Sequence, residues 1–367
     1  MIYLDAAATT LRKPPEVGRA MLAALADCGN PGRSGHAAAR RADETLLRCR
    51  ELAAALFGAA PEQVVLTMNA THGLNLAIHT LVPPGSRVVV SGFEHNAVMR
   101  PLYARQARVR VAGRRLFDPA DTLEQWERAL RTHPRAAVCT HVSNVFGYVL
   151  PIDEIAGLCR RHGVPLIVDA SQSAGTLPVS LRDWGCAFIA MPGHKGLYGP
   201  QGTGLLLCGQ TPAPLLSGGT GSQSRSYAMP AELPERVEAG TPNLPGVAGL
   251  CEGLRFVQAH TDLLRHEQDL LRRFRGRLPA GLAVTGQPQA GVLSLRLPVD
   301  CEAAGQLLGE AGVAVRAGLH CAPLAHESAG TLTDGTLRVS PDAFTSPEDM
   351  DAAAEALRLI MNKLSNL

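Results

Sequence analysis

The sequence predicts an α/β protein, with a large domain on a mainly parallel seven-stranded sheet and a smaller α+β C-terminal domain. Between residues 63 and 207, short β-branched runs alternate with longer amphipathic segments, the pattern of consecutive βαβ units. After residue 207 the composition changes. Residues 211–245 hold repeated Gly, Ser and Pro with few apolar positions, and a second, helix-rich pattern follows. A length of 367 residues suits about two domains of roughly 150 residues each.

Helical spacing of Leu and Ala runs over 14–27 and 37–57, with Gly58 as the stop, and these helices are expected to pack outside the sheet. The seven strands fall at 64–67, 87–91, 109–111, 136–141, 165–169, 187–190 and 204–208, each a short apolar or β-branched run. Helices at 71–81, 96–106, 121–132 and 153–162 connect them. The stretch 211–245 is too long for a simple connector and is expected to be functional or interfacial. Beyond it the pattern predicts helices at 246–260, 263–277, 302–311 and 347–364, and strands at 291–296 and 336–340.

Charge narrows the function. Thirty-five Lys and Arg face 33 Asp and Glu, and the net charge of +2 comes with no long run of one sign. That balance argues against a nucleic-acid binder or a polybasic membrane-surface protein. No apolar run reaches the roughly 18 residues of a membrane span, and the N-terminus, with Asp5, does not read as a signal peptide. The nine cysteines are scattered and never spaced as C-x-x-C, which supports neither a disulfide framework nor a thiolate metal site. A reducing cytoplasm is the expected location. Most of the nine lie in apolar stretches and are expected to be buried and inert; Cys321 is the exception.

The sharpest local signal is 191–204 (MPGHKGLYGPQGTG), a Gly-rich loop with His194 and Lys195 between two predicted strands. A desolvated Lys there has the depressed pKa that suits Schiff-base chemistry; by itself the motif also reads as a tight turn with a solvated Lys. Upstream, an apolar strand ends in Asp169, at the edge where an open α/β sheet meets its ligand. Such a carboxylate can keep a pyridine nitrogen protonated, or simply cap a helix. Asn69, Ala70 and Thr71 follow a strand and open a helix, a ready phosphate cradle or an ordinary cap. His95 and the segment from His141 to Asn144 stand at two further strand ends, where a His can stack on an aromatic ring and an Asn can bond a ring oxygen.

These motifs, in this order, resemble the class V aminotransferase-like, fold-type I pyridoxal-phosphate enzymes, and most closely the cysteine desulfurase and selenocysteine lyase family. The resemblance runs nearly end to end, through 3–10 (YLDAAATT), 140–145 (THVSNV), 168–172 (VDASQ), 193–195 (GHK), 238–243 (EAGTPN), 316–321 (RAGLHC) and 337–340 (LRVS). It implies a large cofactor-binding domain over 13–244, with 1–12 and 245–367 forming the small domain. By the resemblance Lys195 would hold pyridoxal 5'-phosphate as the internal aldimine, Asp169 would pair with its pyridine nitrogen, and Gln172 would bond its phenolic oxygen. His95 would stack on the ring. Ala70, Thr71 and His194 would hold the phosphate, and Thr241 would reach the phosphate of the neighbouring subunit in a homodimer. Asn144, Arg338 and Arg316 would bind the substrate, L-cysteine or L-selenocysteine, with the Arg338 fork on its α-carboxylate.

The mechanism implied has Lys195 move the α-proton and the Cys321 thiolate attack the substrate sulfur, leaving a persulfide and L-alanine. A free thiol, with a pKa of about 8.5, is mostly protonated at pH 7; His320, Arg316 and Arg338 are the groups that could lower it. The alternatives within the family are a selenocysteine lyase and a class V aminotransferase acting on another small amino acid. The chain departs from the family pattern at Pro192, where many members have Ser or Thr, at Leu319, where many have a first His before the cysteine, and at 344–346 (FTS), where Tyr-Asn-Thr is usual. Pro192 has neither hydroxyl nor N–H, so a phosphate contact is lost or moved. The short loop carrying Cys321 resembles the SufS-like group. That implies a dedicated acceptor protein of the SufE/SufU kind, or a small thiol, to clear the persulfide, within sulfur transfer such as iron–sulfur cluster assembly.

Overall fold

The computed structural model describes residues 1–32, 35–284 and 287–365. A short strand β1 (Ile2–Tyr3) leads to helices α1 (Pro15–Asp27) and α2 (Ala37–Leu56). There follow β2 (Val64–Thr67), α3 (Ala70–Leu81), β3 (Arg87–Ser91), α4 (Asn96–Ala104), β4 (Arg108–Ala112), α5 (Pro119–Leu130), β5 (Ala136–Thr140), α6 (Ile152–Arg161) and β6 (Leu166–Asp169). A one-turn α7 (Leu181–Trp184), β7 (Phe188–Pro192) and β8 (Gly204–Cys208) complete this block. No helix or strand occupies 209–243. The chain then forms α8 (Leu244–Ala259), α9 (Leu263–Gly276), β9 (Leu293–Leu295), α10 (Cys301–Glu310), β10 (Val313–Ala314), β11 (Arg316–Gly318), α11 (Pro323–Ala329), β12 (Thr336–Val339) and α12 (Pro347–Ser365).

The seven strands expected of the large sheet all form, in the order β2-β8-β7-β6-β5-β3-β4. Only β8 runs against its neighbours, pairing antiparallel with both β2 and β7; the other pairs are parallel. The interior strands are covered on both faces, which is why β5 to β8 read as continuous apolar runs. Alternate side chains divide between two cores. Val89, Cys139, Val168, Ile189 and Leu207 pack with Trp126 of α5, Ile155 of α6 and Ala53 of α2. Val88, Val138, Ile167, Phe188 and Leu206 pack with Leu74 and Ile78 of α3 and Leu102 of α4. At the edge, β4 alternates Val with exposed Arg108 and Arg110, charges that discourage pairing with another chain.

A third core joins Leu270 and Phe274 of α9, Leu308 of α10 and Leu357 of α12 to Leu293 of β9 and Leu337 of β12. Here β11, β12 and β9 form an antiparallel sheet, and β1 pairs in parallel with β10. The strand expected at 291–296 is trimmed to β9, because residues around it turn at Gly291 and exit at Pro298. Strands β1, β10 and β11 and helices α7 and α11 were not anticipated; each is too short to show a period. No helix of the described residues is long and apolar enough to cross a membrane.

Candidate active site

The carboxyl ends of the parallel strands open on a cavity of about 230 Å3. Strand β7 delivers the Gly-rich turn to it. Gly193 permits the close approach that the turn needs, since a Cβ there would lie 2.1 Å from Thr203 Oγ1. Lys195 lines the cavity, and desolvation lowers its pKa to about 8, with Arg338 and Arg316 acting in the same direction and Asp169 against it. Its amine is thus far readier to be neutral near physiological pH than a surface lysine.

Asp169 ends β6, buried, on the same cavity. Its Oδ1 accepts from the Ser171 N–H at 2.9 Å and from the Ser171 hydroxyl, while Oδ2 has no partner among the described residues. A carboxylate oxygen left free in this way fits a cationic ring N–H. At the start of α3, Asn69 Oδ1 caps the His72 N–H at 2.9 Å, and the N–H groups of Ala70 and Thr71 have no partner among the described residues where both residues line the cavity. Free donors at the positive end of a helix suit an anion.

His194 completes that end. Its carbonyl accepts from the Thr10 N–H (3.1 Å), the Thr9 and Thr10 hydroxyls (3.1 Å each) and Lys13 Nζ (3.0 Å), and its Nδ1 lies 3.0 Å from Thr9 Oγ1. Burial, then Lys195 and Lys13, push its pKa to about 4, so the ring is neutral. Gln172 is oriented by Nε2, which donates to the Ala7 carbonyl at 2.9 Å. His95 caps α4, its Nδ1 accepting from the Ala97 N–H at 3.0 Å, and burial lowers its pKa. With Nδ1 an acceptor, the proton sits on Nε2.

Arg338 is 2% exposed. It donates to the Asn144 carbonyl at 2.9 Å through NH1 and to Asp5 Oδ1 at 2.7 Å through NH2, and its Nε has no partner. The Asn144 side chain is turned to the Cys321 loop, donating to the His320 carbonyl at 2.8 Å. Arg316, exposed at the same cavity, has no carboxylate partner among the described residues.

Of the nine cysteines, seven are buried, Cys28 is half-buried and Cys321 is exposed. Cys321 lines the cavity in a tight turn between β11 and α11, where His320 and Cys321 both take left-handed backbone (φ +50° and +57°). The turn is pinned by the Asn96 N–H, which donates to the Cys321 carbonyl at 2.8 Å, next to His95. Burial and the Arg338 charge push His320 down to about 2, and its Nε2 lies 3.1 Å from the Thr336 carbonyl. A neutral imidazole turned inward supplies no positive charge to a thiolate, so His320 drops out of the three groups that could activate Cys321.

The sequence-based site is therefore gathered at one place, with three differences. Thr241 is exposed and does not line this cavity. His141 packs edge-on against Trp184, with ring centroids 5.1 Å apart, and is held neutral by burial, away from the cavity. Asp5, Thr9 and Lys13 were missed, although 3–10 stood out as a motif; nothing local says that Asp5 meets an arginine 333 positions on. The Arg-containing loop 113–119, which had no role by sequence, clasps α11: Arg114 bridges to Glu327 (3.5 Å), Gly113 O accepts from the Gly92 N–H (3.1 Å), and Ser328 donates to the Gly92 carbonyl (2.7 Å).

Residues 2–353 match the model of the Aminotransferase class-V family. A probable cysteine desulfurase of Methanothermobacter thermautotrophicus is 32% identical, over 98% of this chain and 94% of that protein. The chain belongs to the cysteine desulfurase family of class-V aminotransferases. Solved members of the family agree in fold over almost the whole length. The apo cysteine desulfurase of Thermococcus onnurineus superposes with a TM-score of 0.88 at 27% identity, covering 100% of this chain and 95% of that one. The cysteine desulfurase CsdA of Escherichia coli gives 0.87 at 26% identity, over 99% and 95%.

Proposed function

We propose that this protein is a pyridoxal 5'-phosphate-dependent cysteine desulfurase that converts L-cysteine to L-alanine and takes the sulfur on Cys321. The observation that carries the reading is convergence: Lys195, Asp169 and Cys321, far apart in sequence, line one cavity with an unbonded helix N-terminus at one side and two arginines at another. The free Asp169 Oδ2, the unbonded N–H groups of Ala70 and Thr71 and the neutral His194 fit the cofactor's ring nitrogen and phosphate. Lys195 would hold its aldehyde carbon, Gln172 its phenolic oxygen, and His95 would cover the ring. When bound, the cofactor supplies an electron sink for charge developing at the substrate's α carbon.

The protein's own groups do the rest. Arg338, fixed by Asp5 and Asn144, and the unpaired Arg316 take the α-carboxylate. Lys195 Nζ, whose desolvation lowers its pKa, removes the α-proton. The Cys321 sulfur attacks the substrate sulfur: an S–S bond forms, the Cβ–S bond breaks, and its electron pair stays with carbon, which is then protonated. Thr241, exposed and outside its own cavity, supports a homodimer in which it reaches the neighbour's phosphate. A sulfur-acceptor protein of the SufE/SufU kind or a small thiol then clears the persulfide, in the cytoplasm.

The test is L-alanine formation from L-cysteine by cofactor-loaded protein with a reducing thiol present, against Cys321→Ala. Alanine from the wild type alone is expected. Undiminished turnover by Cys321→Ala would sink the assignment of that thiol.

A further inference from the structure

Behind Lys195 lies a second cavity of about 40 Å3, space for about two or three waters. Lys195 and Gln172 border it as they border the larger cavity, and Glu267 of α9 and Asp342, just after β12, form its other wall. Glu267 is 7% exposed, and its carboxyl has no hydrogen-bond partner in the protein among the described residues. The pocket is shaped for it: a Cβ at position 291, which is Gly, would lie 2.1 Å from Glu267 Oε2. A buried carboxyl with no protein partner costs several kcal/mol unless water reaches it, and this cavity is where water can.

The geometry points to Glu267 as the far end of a water-mediated proton path that begins at Lys195 Nζ. The inference rests on the reading of Lys195 as the base of the desulfurase reaction. That reaction removes the proton from Cα and protonates carbon twice, at Cβ and again at Cα, so a single amine must give up and regain protons between steps. Along the path an N–H bond of the Lys195 ammonium breaks and an O–H bond forms on the Glu267 carboxylate, through intervening waters. Return runs in reverse, and no electrons are exchanged. Glu267 touches neither substrate nor cofactor, so it is a positioning residue for the proton on Lys195.

The groups facing Glu267 are Asp342, Tyr198 and Lys195, and Lys13 faces Asp342 from the other side. The Tyr198 hydroxyl is engaged, accepting from the Ala343 N–H at 2.9 Å, and Asp342 Oδ1 accepts from the Phe344 N–H at 2.9 Å. Burial and the Asp342 charge raise Glu267 to about 8, and burial lowers Lys195 to about 8. Burial thus shifts both groups towards their neutral forms, Glu267 upwards and Lys195 downwards, which brings the two ends of the path closer in proton affinity.

The experiment follows label, not rate. Cofactor-loaded enzyme turns over L-cysteine deuterated at Cα in ordinary water, and deuterium in the L-alanine is measured by mass spectrometry. Wild type is expected to lose most of the label, and Glu267→Gln to retain several-fold more, because its lysine cannot exchange through the path. Equal retention in the two overturns the inference. Should the variant fail to fold, the wild type decides: retention must fall as pH rises through the ionisation of Glu267, and retention that is flat with pH overturns the path. No alanine from wild type would overturn the desulfurase reading itself, an outcome distinct from both.

Discussion

Glu94→Gln is expected to make the protein more stable at neutral pH, and the structure sets the size of the effect. Glu94 is fully buried below the site. Its Oε1 accepts from the Thr140 N–H at 2.8 Å and the Ser91 N–H at 3.3 Å, and Oε2 has no partner. Burial lifts its pKa from 4.5 to about 8, the Asp169 charge adds to this, and the hydrogen bonds oppose it. At pH 7 the folded protein therefore keeps a proton that the unfolded chain releases. Stability from this group is fully present below pH 4.5 and is lost as pH rises towards the folded pKa. Holding the proton at pH 7 costs about 3 kcal/mol, at ~1.4 kcal/mol per pH unit.

A glutamine avoids that cost. It can keep its carbonyl on Thr140 and Ser91 and leaves the Oε2 position as unpartnered as before, so a net gain of about 2–3 kcal/mol at pH 7 is expected. Thermal unfolding followed by circular dichroism at pH 5, 7 and 8.5 measures it. The variant should melt several degrees above wild type at pH 7 and 8.5, and close to it at pH 5. A melting difference that does not grow with pH would mean that Glu94 is ionised in the fold, and would refute the reasoning.

Three further outcomes are expected. The lowered pKa of Lys195 predicts that incorporation of pyridoxal 5'-phosphate into apoprotein, followed by absorbance, accelerates through a midpoint near pH 8, and that Lys195→Ala stays colourless; a midpoint above 10 would contradict a desolvated amine. Asp5→Ala frees one edge of the buried Arg338 and should raise KM for L-cysteine about tenfold, costing about 2 kcal/mol of stability because Asp5 is partly exposed; an unchanged KM would show that Asp5 does not orient the guanidinium. Arg50→Ala removes a two-pronged pair to Glu238 (2.9 and 2.7 Å) that ties α2 to the chain ahead of α8. It should cost about 3 kcal/mol, read as a lower melting temperature.

What the sequence disclosed depended on whether the relevant physics was local. The large sheet was legible because its interior strands, covered on both faces, must be apolar along almost their whole length, so β5 to β8 announce themselves and Asp169 stands out as the polar residue that ends one of them. The Gly-His-Lys turn was legible for the same reason, a polar interruption between two such strands. By contrast, β1 and β10 are two residues each and exist only because they pair with one another across more than 300 positions. No window of sequence carries that information.

The site divides along the same line. Residues that line the cavity from a strand end, Lys195, Asp169 and His95, were placed by pattern. Residues that act by holding another were not: Asp5 is defined by Arg338, Thr9 by His194, and Glu267 by the cavity that Gly291 leaves beside it. His320 shows the converse, as one of three cations the sequence left open for Cys321. Its position next to Cys321 suggested a charge partner, but side chains at adjacent positions of a turn can point to different places, and this one turns to Thr336 of β12. Arg316 of β11, five positions before Cys321, opens on the same cavity as the thiol. Adjacency in the chain is thus a poor guide to which side chains share a site; shared solvent-accessible space is the better one, and it is the property that joins Arg316, Lys195 and Cys321 here.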